Sequence, residues 1–272
     1  MNTQSFKNVT VLITGASAGV GAACAREFAR LGARLALVAR GEEALSAIAG
    51  ELSQQTEVLT VCADVADLQA CDAMLASVVE RFGPVQVLIN NAGLHHRGDV
   101  RVRSAEDIAT MVDVNLRAPL YLTAKVLAGM QQLGTGAVVN VGSLAGRAPL
   151  QGAATYAATK AGLRSFTYGV ADEVRELGIA VGVVSPGPID TGFIMDHIDE
   201  VEDIVYSQPM SSAEEVAVNI VRLARGERLE ISMPWLGGKL TTLSYLMPSL
   251  RRGLRDRLYA IGRRNKNKYR KA

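Results

Sequence analysis

Between Thr10 and Gly21 the chain reads TVLITGASAGVG, and this stretch narrows the possible folds more than any other. Thr10–Thr14 is a short apolar, β-branched run of the kind that forms a buried strand. Gly15-Ala16-Ser17-Ala18-Gly19-Val20-Gly21 follows; over residues 22–31 apolar side chains then recur at helical spacing until Gly32 stops them. A strand that turns through glycines straight into a helix aims the helix's unpaired N–H groups and positive end at whatever sits above the turn. Gly15 permits the tight turn, while Gly19 and Gly21 keep Cβ atoms out of the way of a pyrophosphate. The unit predicts a dinucleotide site containing Gly15, Ser17, Gly19, Val20 and Gly21.

The rest of the chain repeats this alternation. Strands are expected at 34–39, 57–62, 87–89, 136–141, 179–185 and 228–232, and helices at 42–54, 68–82, 105–130, 156–177 and 212–225. Gly83-Pro84 stops one helix, Pro119 permits a kink or a new start within another, and Ser211 or Ser212 is placed to cap a third. The chain is 49% hydrophobic but only 5% aromatic, with 26 glycines, which suits buried parallel strands under Ala-rich helices. With 272 residues and no repeat or low-complexity linker, the expected class is α/β. Residues 1–233 should form one Rossmann-type, doubly wound parallel sheet of about seven strands with helices on both faces, followed by an extension, 234–272.

Sheets of this kind bind ligands at the carboxyl ends of their strands, and polar residues gather there. Asp64-Val65 follows the third strand, Asn90-Asn91-Ala92-Gly93 the fourth, Ser143 the fifth and Pro186-Gly187 the sixth. The second strand ends at Ala39 with Arg40 next and no carboxylate. An acid there would hold the ribose 2′-hydroxyl of NAD, whereas a guanidinium binds a 2′-phosphate in bidentate fashion, so NADP(H) is expected over NAD(H). Arg40 as the cap of a surface turn is the plainer alternative. Tyr156 and Lys160 stand four apart, on one face of a helix. A phenol with its usual pKa of ~10 becomes useful as an acid and base when a neighbouring ammonium lowers it. Ser143, thirteen residues before the Tyr, could hydrogen-bond a substrate oxygen. Alone, such a Tyr and Lys are more often a solvated helix face.

Taken in order, Thr14-Gly15-x3-Gly19-x-Gly21, Asp64, Asn90-Asn91-Ala92-Gly93, Asn115, Ser143, Tyr156-x3-Lys160 and Pro186-Gly187 resemble the short-chain dehydrogenase/reductase family, in its shorter single-domain branch, over residues 6–233. The resemblance implies hydride transfer between nicotinamide and an alcohol or carbonyl carbon. It implies that Tyr156 is the acid/base, that Ser143 holds the reacting oxygen, and that Lys160 binds the nicotinamide ribose and holds down the Tyr pKa. Asn115 would position a relay water. Asp64 and Val65 would lie near the adenine, Asn91, Ala92 and Gly93 near the adenosine ribose, and Pro186, Gly187, Ile189 and Thr191 on the nicotinamide side. It also implies a homodimer or homotetramer formed through the helices at 105–130 and 156–177.

Two segments fall outside these motifs. Residues 189–211 mix Phe193, Ile194, Met195, Ile204 and Tyr206 with Asp196, Asp199, Glu200, Glu202 and Asp203, and are expected to form a lid over an apolar pocket or a helical pair packed on the core. From Arg251 onward there are ten Lys/Arg and one acid, +9, while the preceding 250 residues carry 19 basic and 26 acidic side chains, −7. With Leu250, Leu254, Leu258 and Ile261 at helical spacing, this tail reads equally as an anionic-membrane-surface helix or as a subunit contact with a disordered basic end. Nucleic acid is not an expected partner, because the acidic body would repel it. Cys24, Cys62 and Cys71 show no ligand spacing, and His95, His96 and His197 read as loop residues near a pocket rim, so no metal is expected. The polar start up to Asn8 predicts no secretory signal and hence a cytoplasmic protein, with the membrane reading of the tail placing it on a membrane's inner face. The expected function is NADP(H)-dependent oxidoreduction of an apolar or lipid-like carbonyl or secondary alcohol. The alternative, a non-catalytic nucleotide-binding or scaffold protein, has no chemical need for Asn115, Ser143, Tyr156 and Lys160 together. An epimerase or dehydratase is disfavoured by the glycine spacing.

Overall fold

The computed structural model describes residues 6–270. Seven parallel strands form one sheet: β1 (Thr10–Thr14), β2 (Arg34–Ala39), β3 (Val58–Cys62), β4 (Val87–Asn90), β5 (Gly136–Val141), β6 (Ile179–Pro186) and β7 (Glu230–Met233). Their order is β3-β2-β1-β4-β5-β6-β7, so the winding reverses between β1 and β4, and a crevice opens beyond the strand ends there. The central strands are buried on both faces, as continuous apolar runs require. Helices α1 (Gly19–Arg30), α2 (Glu42–Leu52) and α8 (Ala213–Ala224) contribute to one core, with Phe28, Leu45 and Ile220. Helices α3 (Leu68–Phe82), α5 (Ala118–Leu133) and α6 (Ala154–Glu173) contribute to a second core, with Met74, Leu122 and Val170. The sheet thus lies between two helical layers.

The strands lie within two residues of their expected bounds, while three helical stretches differ. The pattern at 105–130 is two helices, α4 (Ala105–Val112) and α5, joined by a one-turn π bulge at Asp113–Arg117. The helix expected to run to 177 ends at Glu173 and tightens into a turn at Arg175–Leu177. Residues 189–211 form only α7 (Gly192–Met195) and a turn at Asp203–Ser207. The ends of this segment are pinned by Asp190 N donating to Ser211 O (2.9 Å) and Ser211 N to Pro188 O (3.0 Å).

The extension folds back as α9 (Trp235–Leu246) and α10 (Pro248–Tyr269). Its basic residues meet the acids of the 189–211 segment. Arg263 pairs with Asp203 at 3.1 Å and Arg270 with Asp199; buried Lys266 lies 3.4 Å from Asp203 and donates to Val201 O at 2.6 Å. Asn265 donates to Tyr206 O at 3.0 Å, and a Cβ on Gly262 would fall 1.8 Å from Asp203 O, so α10 lies directly on that backbone. As far as Tyr269 the expected disordered end is a docked helix, since paired acids and bases lie along a shared apolar seam; residues 271–272 lie outside the described residues. Among the described residues no helix is long and apolar enough to cross a membrane.

Candidate active site

The glycine turn is built from the backbone outward. Gly15 and Gly19 hold φ of 65° and 51°, a region that side chains disfavour, and a Cβ on Gly21 would fall 2.0 Å from Gly15 O. Helix α1 then begins without a side-chain cap or an acid in its first turn, leaving its N–H groups for an anion. These features fit the diphosphate of a dinucleotide. Asn91 braces the turn: its Nδ2 donates to Thr14 O (2.9 Å) and Gly15 O (3.0 Å), while Thr14 Oγ1 accepts from the Asn91 and Ala92 amides, both at 3.0 Å. Asn91, expected near the adenosine ribose, thus uses its amide nitrogen on the turn itself.

A cavity of about 720 Å³ opens beside this turn. It brings together Gly15, Ser17, Gly19, Val20, Asn91, Ala92, Gly93, Ser143, Tyr156, Lys160, Pro186, Gly187, Ile189 and Thr191 from the sequence expectations. Five expected residues stand outside its lining, the first being Gly21, which packs against Gly15 O within the turn. Val65 packs its side chain into the core, 7% exposed. Arg40 and Asp64 are solvent-exposed with Nη1 and Oδ2 4.0 Å apart; the Arg40 side chain is 72% exposed. Asn115, fully buried in the π bulge, accepts from Leu94 N (2.7 Å) and donates to Leu94 O (2.7 Å) and Thr159 Oγ1 (3.3 Å). Its side chain clamps the loop after β4 onto α6.

At the centre, Ser143 caps the turn Leu144–Arg147, its Oγ accepting from Ala145 N at 3.1 Å. A Cβ on Gly146 would lie 2.7 Å from Lys160 O, so the turn presses on α6 and brings Ser143 to Tyr156. The Ser143 hydroxyl faces the phenol closely enough to lower its pKa. Lys160, 4% exposed, donates to Val141 O at 2.8 Å and stands 5.8 Å from the Tyr156 ring centroid. Burial raises the Tyr156 pKa above its ordinary value, while Ser143 and the Arg97 guanidinium pull it down. Burial also pushes Lys160 down to about 8. Arg97 is thus a second cation beside the phenol, and desolvation outweighs its pull.

Sequence reasoning missed Arg97, which no spacing marks, and gave His95 only a rim position. The His95 ring stacks on Tyr156 with centroids 4.3 Å apart and planes at 15°. Arg97, 8% exposed, donates through Nη1 to His95 Nδ1 (3.0 Å) and through Nη2 to Phe193 O (2.6 Å), tying the 189–211 segment to the site. Glu230 was also missed. With its side chain 5% exposed, it receives Arg147 (2.7 Å), Arg164 (2.8 Å), the Tyr168 hydroxyl (2.7 Å) and the Ser185 hydroxyl (2.7 Å). It stays well below the usual carboxylate range, at about 2, because these donors outweigh its burial. Leu240 and Leu243 of α9 and Leu254 and Leu258 of α10 close the cavity's apolar side, a role the tail's sequence did not suggest. No group of three His, Cys, Asp or Glu among the described residues could hold a metal.

The family model described as short chain dehydrogenase matches residues 9–202. The chain belongs to the short-chain dehydrogenase family. Like its relatives, this short-chain dehydrogenase is an oxidoreductase acting on CH–OH and C=O groups, with a nicotinamide cofactor. It is 39% identical over 191 residues to sulfoacetaldehyde reductase 2 of Chromohalobacter salexigens, covering 68% of this chain and 74% of that one. It is 34% identical over 232 residues to an NADP-dependent 3-hydroxy acid dehydrogenase of Schizosaccharomyces pombe, covering 82% and 90%. A solved actinorhodin polyketide ketoreductase with NADPH superposes with a TM-score of 0.77 at 30% identity, covering 85% and 97%.

Proposed function

We propose that the protein interconverts a carbonyl and a secondary alcohol using NADP(H), on an apolar or lipid-like substrate. The convergence of Ser143, Tyr156 and buried Lys160 at the cavity beside the glycine turn carries this reading. Tyr156 gives its proton to the carbonyl oxygen in reduction and takes it from the alcohol in oxidation. Ser143 donates to the same oxygen and stabilises the charge that develops there. Lys160 holds the nicotinamide ribose, and its ammonium favours the phenolate once the site is filled. Gly15, Ser17, Gly19, Val20, Asn91, Ala92, Gly93, Pro186, Gly187, Ile189 and Thr191 would hold the cofactor, which when bound supplies or accepts the hydride. The leucines of α9 and α10 support an apolar substrate.

Arg40 supports NADP(H), as do the relatives named for NADP or solved with NADPH. NADPH oxidation with a panel of ketones, acyl thioesters and sterol-like ketones tests the function; turnover of none would contradict it. Arg40→Asp should raise the KM for NADPH more than about tenfold while sparing NADH, since it replaces a charge-assisted phosphate contact by a repulsive one. A wild-type preference for NADH would contradict the cofactor assignment.

We further propose a cytoplasmic homodimer or homotetramer formed through α4–α5 and α6, to be read by light scattering. The exposed Trp235 (65%) and Leu246 (71%) on α9, beside a basic α10, support contact with an anionic membrane surface. Equal sedimentation with anionic and neutral vesicles would contradict that contact.

A further inference from the structure

Arg97 is a buried cation with no ion-pair partner among the described residues. It is 8% exposed and lines the cavity, and the carboxylate whose charge reaches it, Glu200, stands beyond ion-pair distance and does not offset its burial. Its two hydrogen bonds go to neutral acceptors, His95 Nδ1 and Phe193 O, and its Nε has no partner. Burial opposes its charge, a cost usually offset by an anion.

The neighbouring histidine sharpens the point. A guanidinium can only donate, so His95 Nδ1 accepts and the ring proton is on Nε2, which is likewise buried without a partner. Burial and Arg97 push His95 down to about 3, so the ring stays neutral at neutral pH. The site beside the phenol therefore holds unused donors. Across the cavity wall the charged side chains are Arg97, Lys160 and Arg251 against one carboxylate, Asp196.

We propose that the substrate carries an oxyanion, a carboxylate or a phosphate monoester, a few bonds from its carbonyl, and that Arg97 with His95 Nε2–H receives it while the chain beyond runs along Leu240, Leu243, Leu254 and Leu258. This rests on the carbonyl-reductase reading and narrows its substrate to an anionic amphiphile. The His95 ring, stacked on Tyr156, sets the spacing between the two ends.

Calorimetric titration of the full chain with decanoate, decyl phosphate and decanol tests the proposal without turnover. At least one of the anions should bind about tenfold or more tighter than decanol, the gain expected of a charge-assisted hydrogen bond. The tighter of the two identifies the source. Arg97→Met should abolish that preference and leave decanol within about twofold of its wild-type affinity, a change too small for any lost hydrogen bond, with Arg97→Lys recovering part of it. Equal binding of all three by the wild type would overturn the proposal. So would an Arg97→Met variant that weakens decanol as much as the anions, since Arg97 would then be only a strut for Phe193. Anion binding through Arg97 in a protein that reduces no carbonyl would sustain this inference and count against the catalytic reading alone.

Discussion

Tyr156 and Lys160 show how little a side chain's chemistry follows from spacing alone. Their separation of four places both on the inner side of α6, yet burial moves the two pKa values in opposite directions, the phenol up and the ammonium down to about 8. Glu230 is the converse case, a carboxylate whose partners overcome burial. Its folded pKa of about 2 lies below its ordinary 4.5, so its stabilisation is complete above pH 4.5 and is lost as pH falls toward 2. A gap of that size corresponds to about 3 kcal/mol. Glu230→Gln, which leaves Arg147 and Arg164 without their acid, should lower the unfolding free energy by about 3–5 kcal/mol at pH 7. In urea titrations the gap between wild type and variant should shrink below pH 4; a gap independent of pH would contradict the assignment. Arg97, His95 and Glu230 were illegible in the sequence because each acts through partners remote along the chain, such as Glu230 with Arg147 and Arg164, 83 and 66 residues away.

At the level of elements, the strands were legible because burial on both faces writes them as unbroken apolar runs, as in Thr10–Thr14 and Gly136–Val141. The π bulge was not, since an extra residue in one helical turn leaves the apolar pattern nearly intact; it turns Asn115 inward to clamp Leu94. Glycines mark the close approaches. Gly146 lets the Ser143 turn rest on α6, and Gly262 lets α10 rest on Asp203 O. Gly262→Ala should force α10 off the 189–211 segment, because backbone rather than a flexible side chain meets the new Cβ. The expected result is a melting temperature several degrees lower, about 2–4 °C per kcal/mol for a chain of this size, and weaker binding of apolar ligands. An unchanged melting temperature together with unchanged ligand affinity would show that the tail does not depend on this contact.

For the molecule as a whole, the sheet's reversal between β1 and β4 locates the crevice, and the crevice locates the chemistry. The glycine turn and the Ser143, Tyr156 and Lys160 group were legible because both are local patterns. The cavity's apolar wall, where residues 189–211 and the 234–270 hairpin meet, was not legible, because it is assembled from segments with neither shared period nor motif. The tail's positive charge, which suggested a membrane or a second subunit, is partly spent within the chain on Asp199 and Asp203. The measurement that bears most directly on the account is a paired assay of Tyr156→Phe: NADPH binding by calorimetry, and NADPH oxidation with the best carbonyl substrate of the panel. Binding should stay within about threefold, since the ring remains, while turnover falls by about 100- to 10,000-fold, the usual contribution of a positioned acid. Undiminished turnover in that variant would contradict the account at its centre.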